Sequence, residues 1–376
     1  MRILFVTTLA DVGGIEINLL GLVGALSKRG HRIWIASADG PLVQEFERRG
    51  AKHVAVELAL RDPFGIVGSA KKLKALVSGE SVEIAHAMSA GANLALQLVP
   101  RGASAVVVAS PMGLQNSPAE VGLVTILRNR LTVLRADRVF AISGEIKRAL
   151  LAAGTSENRI EDAQIIGIDL GAYSVDPAAA SRLRDELRIP SGAPVVTTIG
   201  ALHPRKSHEL FLSAAAAVIK EYPSARFLLV GGGAERVNLE SLAKRLGLER
   251  SAYFCGVRRD IATLLGATTV YVKPGVLEGF VGVTVLEAMA VGVPVVAFDT
   301  RDVRAVIEHE RTGLLSKNRD SDQLAKSIMA LLRSEELRER LAAAARTEIK
   351  ERFSLEAVAS DLEERYARIR LGRRAN

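Results

Sequence analysis

The chain has 376 residues and a formal net charge of +8; 48% of its residues are hydrophobic, 24% are charged and one is a cysteine. This composition excludes a disordered or fibrous chain, and the single Cys255 excludes an internal disulfide, so we expect a reducing, cytoplasmic location. The length exceeds what one hydrophobic core serves and predicts two domains. No segment approaches the ~20 apolar residues of a membrane span, so any membrane association should be peripheral, on the inner face.

The basic surplus indicates an anionic partner, for which nucleic acid, anionic lipid and a polyanionic small molecule are the candidates. Aromatic residues make up only 4% of the chain, and the sequence contains no recognisable nucleic-acid module, so we expect no nucleic acid partner. Phosphate-bearing substrates and a membrane surface remain, beside the simpler explanation that the charge serves solubility.

Apolar, β-rich runs alternate with helical patterns along the chain. In the first half these runs cover residues 3–6, 33–36, 54–56, 84–86, 105–108 and 139–142. In the second half they cover residues 195–199, 227–230, 253–255, 270–272 and 295–298. Near-continuous apolar runs are typical of parallel strands that are covered on both faces. Their alternation with helices predicts a doubly wound α/β sheet in each half.

A stretch that mixes Gly, Pro, Ser and charged residues, from Leu170 to Ala193, predicts the domain boundary. We therefore expect a first domain over residues 1–185 and a second over residues 186–352. The remaining residues, 353–376, are predicted to form an amphipathic helix that ends at Leu371, followed by a basic tail at Arg373 and Arg374.

Two glycine-bearing turns follow predicted strands. Gly13-Gly14 opens a helix and would let the backbone approach a ligand closely, unless it is a plain tight turn. In the second half, Gly200 ends a strand and is followed by Arg205 and Lys206, two cations that can bind a diphosphate. A solvated basic turn is the alternative at that position.

The stretch from Val270 to Phe298 contains a buried strand, a turn with Glu278, a short helix with Glu287 and a second buried strand. A helix N-terminus favours phosphate through its unpaired amides and positive dipole end. An unpaired carboxylate is costly between buried elements, where Glu278 lies. Glu287 has an alternative interpretation as half of a capping box with Thr284. A phosphate cradle beside carboxylates able to hold sugar hydroxyls predicts a nucleotide-sugar ligand.

The segment from Ala119 to Arg138 is apolar and carries Arg128, Arg130 and Arg135 between its apolar residues. A basic amphipathic helix of this kind can lie on an anionic membrane surface. A domain helix with a solvated basic side is the alternative.

Several short motifs occur in a family-specific order. In the first half they are Gly13-Gly14-x-Glu16, Arg29-Gly30-His31, Ser143-Gly144-Glu145-Ile146-Lys147 and Gly167-Ile168-Asp169. In the second half they are Lys206, Val230-Gly231-Gly232-Gly233, Phe254-Cys255-Gly256-Val257, Glu278-Gly279-Phe280 and Leu286-Glu287-Ala288-Met289-Ala290-x-Gly292-x-Pro294. With these motifs the chain resembles glycosyltransferase family 4, retaining enzymes of the GT-B fold, along nearly its whole length.

The resemblance implies two Rossmann-like domains that face a cleft, with the C-terminal helix crossing back to the first domain. It also implies a UDP- or GDP-sugar donor, a carbohydrate or lipid-linked acceptor, and neither metal nor cofactor. Lys206, assisted by Arg205, would neutralise the leaving diphosphate. Glu287 would hold the ribose hydroxyls, and Glu278 would face the transferred sugar. Further donor contacts would come from Gly13, Gly14, Gly200, Gly231, Gly232, Val257, Phe280, Val281, Gly282, Val283 and Thr284. The acceptor side would include His86, Ser110 and Met112.

The chain departs from the family pattern in three places. Eight residues separate Glu278 from Glu287, one more than in the family, and we place the extra residue, Val281, in the turn. Ala201 and Met112 stand where the family usually has Arg and His. The predicted function is sugar transfer with retention of configuration, in cell-envelope polysaccharide or glycolipid synthesis. The alternatives are a nucleotide-sugar-binding subunit with little catalysis and a nucleotide-sugar epimerase.

Overall fold

The computed structural model describes residues 1–10, 14–58, 63–99, 105–111, 130–131, 133–276 and 282–374. The chain forms two compact units: Met1–Gly167 together with Phe353–Asn376, and Ile168–Arg352. The boundary therefore lies between Gly167 and Ile168 rather than between residues 185 and 186. The reason is that residues after Ile168 pack on the second unit, where a Cβ added at Gly266 would lie 2.5 Å from the Val175 side chain.

The described part of the first unit contains a parallel sheet of seven strands, in the order β3-β2-β1-β4-β5-β6-β7. The strands are β1 (Arg2–Leu9), β2 (Arg32–Ala38), β3 (Ala51–Ala55), β4 (Ile84–Ala87), β5 (Val106–Ala109), β6 (Arg138–Ala141) and β7 (Ile160–Asp162). The helices are α1 (Gly14–Lys28), α2 (Val43–Arg48), α3 (Pro63–Gly79), α4 (Ala90–Gln97) and α5 (Gly144–Ala152). This strand order is that of a doubly wound, Rossmann-like sheet, as the alternating pattern predicts.

The C-terminal helix belongs to the first unit and completes its core. After a π-helical turn, Ile349–Phe353, helix α14 runs over Leu355–Arg374. Leu355 packs where two glycines leave room, because an added Cβ would lie 2.7 Å from its side chain at Gly21 and 2.9 Å at Gly167. The predicted basic tail is instead the last turn of this helix, whose Arg373 guanidinium donates to the Ala105 carbonyl.

The second unit has a parallel sheet that, in the described residues, contains six strands in the order β10-β9-β8-β11-β12-β13. The strands are β8 (Val195–Ile199), β9 (Arg226–Val230), β10 (Ala252–Gly256), β11 (Val270–Lys273), β12 (Val295–Phe298) and β13 (Leu314–Ser316). The helices are α6 (Pro177–Glu186), α7 (His208–Glu221), α8 (Arg236–Arg245), α9 (Ile261–Gly266), α10 (Val283–Val291), α11 (Arg301–Arg304), α12 (Ser321–Arg333) and α13 (Glu335–Glu348).

The apolar strand residues of the second unit lie in its core, because helices cover both faces of the sheet. Val196, Phe227 and Val270 are fully buried and pack with Phe211 and Leu212 of α7. The strand order repeats that of the first unit, with β8 at the centre. The order reverses between β8 and β11, and in open α/β sheets ligands bind at the carboxyl edge of such a reversal.

Candidate functional site

The reversal point of the second unit brings together two segments that separate sequence motifs predict to bind phosphate. Strands β8 and β11 are neighbours, with Val196 opposite Val270 and Thr197 opposite Tyr271. Because the strands are parallel, the loop that starts at Gly200 and the turn that precedes α10 leave the sheet at the same edge. The predicted diphosphate cations and the predicted helix N-terminus therefore share one edge of one unit.

The loop after β8 is a compact turn that presents two cations. In the one-turn helix Pro204–Lys206, the Arg205 amide donates to His203 Nδ1 at 3.2 Å and the Lys206 amide to the His203 carbonyl at 2.9 Å. Arg205 is exposed and Lys206 is half-buried. The aliphatic stem of Lys206 lies beside Gly200, where an added Cβ would be 3.6 Å from Lys206 Cδ.

The glycine run after β9 supports this loop from the neighbouring strand. Gly231 has a φ of +143°, and an added Cβ would lie 1.9 Å from the Gly200 carbonyl oxygen. The Leu202 amide donates to the Gly232 carbonyl at 2.8 Å. The two loops thus run backbone against backbone, which only glycine permits at position 231. The described contacts of Gly231 give it a structural role; contact with the donor stays a prediction.

Val257, the residue predicted to lie near the base, protrudes at the same edge. It follows β10 and is 77% exposed. A Cβ added at Gly232 would lie 3.1 Å from Val257 Cγ2, so Val257 stands directly beside the glycine run. An exposed aliphatic side chain next to bare backbone can pack on a flat ring.

Helix α10 begins at a glycine. Its N-cap residue is Gly282, which has no side chain to accept a hydrogen bond from the first amides of the helix. The Thr284 hydroxyl instead lies 2.7 Å from the Tyr271 hydroxyl of β11. The alternative interpretation of Thr284 and Glu287 as a capping box is therefore wrong, because both side chains have other partners. The amides of Gly282, Val283 and Thr284 form a helix N-terminus suited to an anion.

The carboxylate of Glu287 is buried, and among the described residues only one of its two oxygens has a hydrogen-bond partner. Its side chain lies one turn inside α10 and the residue is only 9% exposed. Oε1 accepts a hydrogen bond from the Tyr173 hydroxyl. Oε2 is buried and has no hydrogen-bond partner in the described part of the chain. Burial raises the pKa of Glu287. An unsatisfied buried carboxylate oxygen destabilises a fold, so its presence indicates a site for hydroxyl donors.

A buried ion pair that no sequence motif indicates fixes the start of the turn before α10. Lys273 ends β11, and its Nζ donates to the Gly275 carbonyl at 2.9 Å and lies 3.6 Å from Asp302 Oδ2. Asp302 Oδ1 accepts from the Thr300 hydroxyl at 2.5 Å. Lys273 and Asp302 are both buried, and the bond from Lys273 fixes Gly275 beside the end of β11. Neither residue stands out in a sequence without its three-dimensional neighbours.

Two residues predicted on the acceptor side lie in the core instead. His86 is fully buried, with Nδ1 at 2.6 Å from the Tyr366 hydroxyl and Nε2 at 2.6 Å from Ser110 Oγ. Burial lowers the pKa of His86 to about 3, so its ring is neutral. The hydrogen bonds of His86 therefore connect β4 to α14 and to Ser110, the residue that follows β5. Because their polar atoms bond to each other and to Tyr366, an acceptor-side role has no support in the geometry.

Other predicted residues lie outside the described part of the chain. These are Gly13, Met112, Glu278, Phe280 and Val281. Of the predicted amphipathic segment, residues 130–131 and 133–138 are described; Leu131 is 48% and Leu134 49% exposed. Within the described ranges, no helix has the length and apolar character needed to cross a bilayer. Nor do those ranges group three or more His, Cys, Asp or Glu side chains for a metal ion.

Comparison with solved structures defines the fold class. HepE of Anabaena, whose structure was determined in complex with UDP, matches with a TM-score of 0.84 at 22% sequence identity, over 98% of this chain and 100% of HepE. Two Rossmann-like units, each with an all-parallel sheet, are the GT-B architecture. Family models identify the chain more closely: the model for Glycosyltransferase Family 4 matches residues 12–161, and that for Glycosyl transferases group 1 matches residues 180–348. The chain belongs to glycosyltransferase family 4.

Curated relatives match part of the chain. An uncharacterized glycosyltransferase of Haemophilus influenzae is 31% identical over 143 residues, which are 38% of this chain and 40% of that protein. The D-inositol 3-phosphate glycosyltransferase of Corynebacterium urealyticum is 34% identical over 197 residues, 50% of this chain and 46% of that protein. The chain spans less than half the length of these two relatives.

Proposed function

We propose that the protein transfers a sugar from a nucleoside diphosphate sugar to an acceptor hydroxyl. The observation that carries this proposal is the buried Glu287 Oε2, which has no partner among the described residues and lies within a turn of the N-terminus of α10, whose N-cap residue is the glycine Gly282. A ribose supplies hydroxyl donors, and the attached diphosphate supplies the anion that the helix end favours. One nucleotide would satisfy both features.

The cations of the loop after β8 take the leaving-group role in this proposal. As the glycosidic bond breaks, negative charge grows on the diphosphate, and Lys206, Arg205 and the amides at the start of α10 stabilise that charge. Fixed donors of this kind are already oriented before the reaction, so they need little reorganisation as the transition state forms. With these groups in place the reaction needs no metal ion. Glu278 is proposed, as in the family, to face the transferred sugar.

The transfer is proposed to retain the configuration of the sugar. It follows from the family resemblance, in which a donor phosphate oxygen accepts the proton of the acceptor hydroxyl, so that no protein base is required. The neutral, buried His86 is consistent with this scheme, because its two ring nitrogens are already bonded to Tyr366 and Ser110.

We propose a UDP- or GDP-hexose as donor, and an acceptor from cell-envelope polysaccharide or glycolipid synthesis. The support for UDP is that HepE was solved in complexes with UDP and with UDP-glucose. A hydroxyl acceptor is supported by the name of the inositol phosphate relative. An anionic membrane surface would be reached through the exposed Leu131 and Leu134. Arg135, predicted to face lipid, instead donates to the Gln97 carbonyl at 2.8 Å.

The test is a donor and acceptor panel on the full chain. Calorimetry with UDP, GDP and their common hexose conjugates identifies the nucleotide that the protein binds. Release of that nucleotide is then measured with and without candidate glycolipid acceptors. Acceptor-dependent release, unchanged by EDTA, and an NMR coupling constant that reports the donor's anomeric configuration in the product are the expected results. Nucleotide binding without any release would contradict transfer and favour a binding subunit. Conversion of the donor without acceptor would favour an epimerase.

A further inference from the structure

The contact between Tyr173 and Glu287 joins two distant parts of the second unit. Tyr173 ends the one-turn helix Leu170–Tyr173, which begins just after the boundary between the units. Asp169 holds this turn, since its Oδ1 accepts from the Gly171 amide at 3.1 Å and its carbonyl from the Ala172 amide at 3.0 Å. From this braced position the half-buried phenol reaches the carboxylate of α10.

The two oxygens of Glu287 have different surroundings as a result. Oε1 is occupied by the phenol, and Oε2 is buried with no partner in the described chain. A glutamate side chain has three rotatable torsions, and a single fixed hydrogen bond removes much of that freedom. The carboxylate is thus held in one orientation before any ligand arrives, which reduces the entropy lost when a ligand binds.

We infer that Tyr173 is a positioning residue for nucleotide recognition, which aims Glu287 Oε2 at the ribose hydroxyls. This inference rests on the proposed function, and it adds a residue that the motifs of the sequence do not contain. Tyr173 touches the carboxylate rather than the reacting atoms, so its effect is on the binding of the nucleotide.

The phenol also affects the charge of Glu287. Burial raises the pKa of this carboxyl group, and the hydrogen bond from Tyr173 opposes that rise by stabilising the anion. Other titratable or charged groups lie on the elements packed against α10, and Asp169, just before the one-turn helix, is bonded to the Gly171 amide. Tyr271 of β11 lies at the Thr284 hydroxyl, Lys273 donates to Gly275, and Arg346 of α13 lies against Gly292 at the far end.

The experiment compares Tyr173→Phe with the unaltered full chain by calorimetry between pH 5 and pH 8, using UDP and GDP. We expect the variant to bind the nucleotide about 10-fold more weakly at pH 7.5, equivalent to about 1.4 kcal/mol. Its binding should also begin to fail at a higher pH than that of the unaltered chain, because Glu287 protonates more readily without the phenol. Tyr253→Phe on β10 is the matched control and should change neither quantity.

Two further measurements separate positioning from mere packing. Glu287→Gln keeps the shape of the side chain, and in that background Tyr173→Phe should no longer shift the pH profile of binding and should weaken binding by less than about 2-fold. If Tyr173→Phe only lowers the melting temperature and leaves both affinity and pH profile unchanged, the inference is wrong. If the unaltered chain binds neither nucleotide, the proposed donor class is wrong instead.

Discussion

A Cβ added at Gly231 would lie 1.9 Å from the carbonyl oxygen of Gly200, with the Gly231 backbone at a φ of +143°. Any other residue would have to push the loop after β8 away from the sheet edge and adopt a strained conformation. We expect Gly231→Ala to lower the free energy of unfolding by about 2–4 kcal/mol and to weaken nucleotide binding, because the loop carries Lys206.

The matched control for this substitution is Gly247→Ala. Gly247 also has a positive φ, +71°, but an added Cβ meets nothing within 4 Å. Gly247→Ala should therefore lower the free energy of unfolding by only about 1 kcal/mol, from backbone strain alone, and should leave nucleotide affinity unchanged. Urea unfolding and calorimetry provide both numbers, and equal losses in the two variants would contradict the role given to close backbone contact.

Loss of Lys206 or of Glu287, the two charged side chains proposed to contact the nucleotide-sugar, should slow the reaction strongly. A hydrogen bond to a charged group contributes about 1.5–3 kcal/mol, so Lys206→Ala and Glu287→Ala should each reduce kcat/KM by at least about 10-fold. Lys244→Ala, which removes an exposed lysine from α8, is the control and should leave the rate unaltered. Normal turnover in both site variants would show that this edge of the second unit is not part of the active site.

The buried imidazole of His86 should make the fold sensitive to acid. Burial lowers its pKa from 6.5 to about 3, so between these values the unfolded chain binds a proton that the folded chain does not. Stability is therefore complete above about pH 6.5 and falls as the pH drops toward 3, by on the order of 1.4 kcal/mol per pH unit inside that window. His86→Gln should show a shallower decline in urea unfolding between pH 6.5 and pH 4. An identical slope would mean that His86 is not neutral in the folded state.

Replacement of only one member of the ion pair between Lys273 and Asp302 should destabilise the fold strongly. Removal of one partner leaves a buried charge, which typically costs about 3–5 kcal/mol. Lys273→Met should therefore destabilise the fold by that amount, whereas the double variant with Asp302→Leu should recover much of the loss. Urea unfolding measures both. If the double variant is as unstable as the single one, packing rather than uncompensated charge determines the cost.

Membrane association should depend on the exposed pair Leu131 and Leu134. In sedimentation with vesicles that contain anionic lipid, we expect binding that weakens as salt rises, and we expect the Leu131→Ser/Leu134→Ser variant to bind several-fold less. Val237→Ser, at a 74% exposed position of the second unit, is the control. Equal binding to neutral and anionic vesicles would exclude the electrostatic part of the proposal.

The sequence predicts most of the fold because buried parallel strands are encoded locally. The predicted runs at residues 195–199 and 295–298 coincide with β8 and β12, and the alternating pattern gives the correct fold class. The two strands without a prediction, Ile160–Asp162 and Leu314–Ser316, have three residues each and lie at a sheet edge. A strand this short provides too few residues for a periodic pattern.

The site is only partly readable from the sequence, since its geometry depends on contacts between distant residues. Motif positions identified Lys206 and Glu287 as donor-binding residues, and the pairing of β8 with β11 brings the segments that carry them to one edge of the sheet. Nothing local distinguishes Tyr173, whose partner is more than 100 residues away in the sequence. The capping-box pattern at Thr284 was misleading because Tyr271, on a neighbouring strand, takes its hydroxyl.

The membership of α14 in the first unit has a consequence for synthesis of the chain. Ile168–Arg352 is continuous in sequence, so the second unit is complete as soon as its last residue leaves the ribosome. The first unit, in contrast, is incomplete until α14 has been synthesised. Before that point His86 lacks its hydrogen bond with the Tyr366 hydroxyl, and Leu355 does not yet fill the space beside Gly21. The half that is translated first is thus finished last, and a nascent chain that has emerged as far as Arg352 carries one complete unit and one unfinished core.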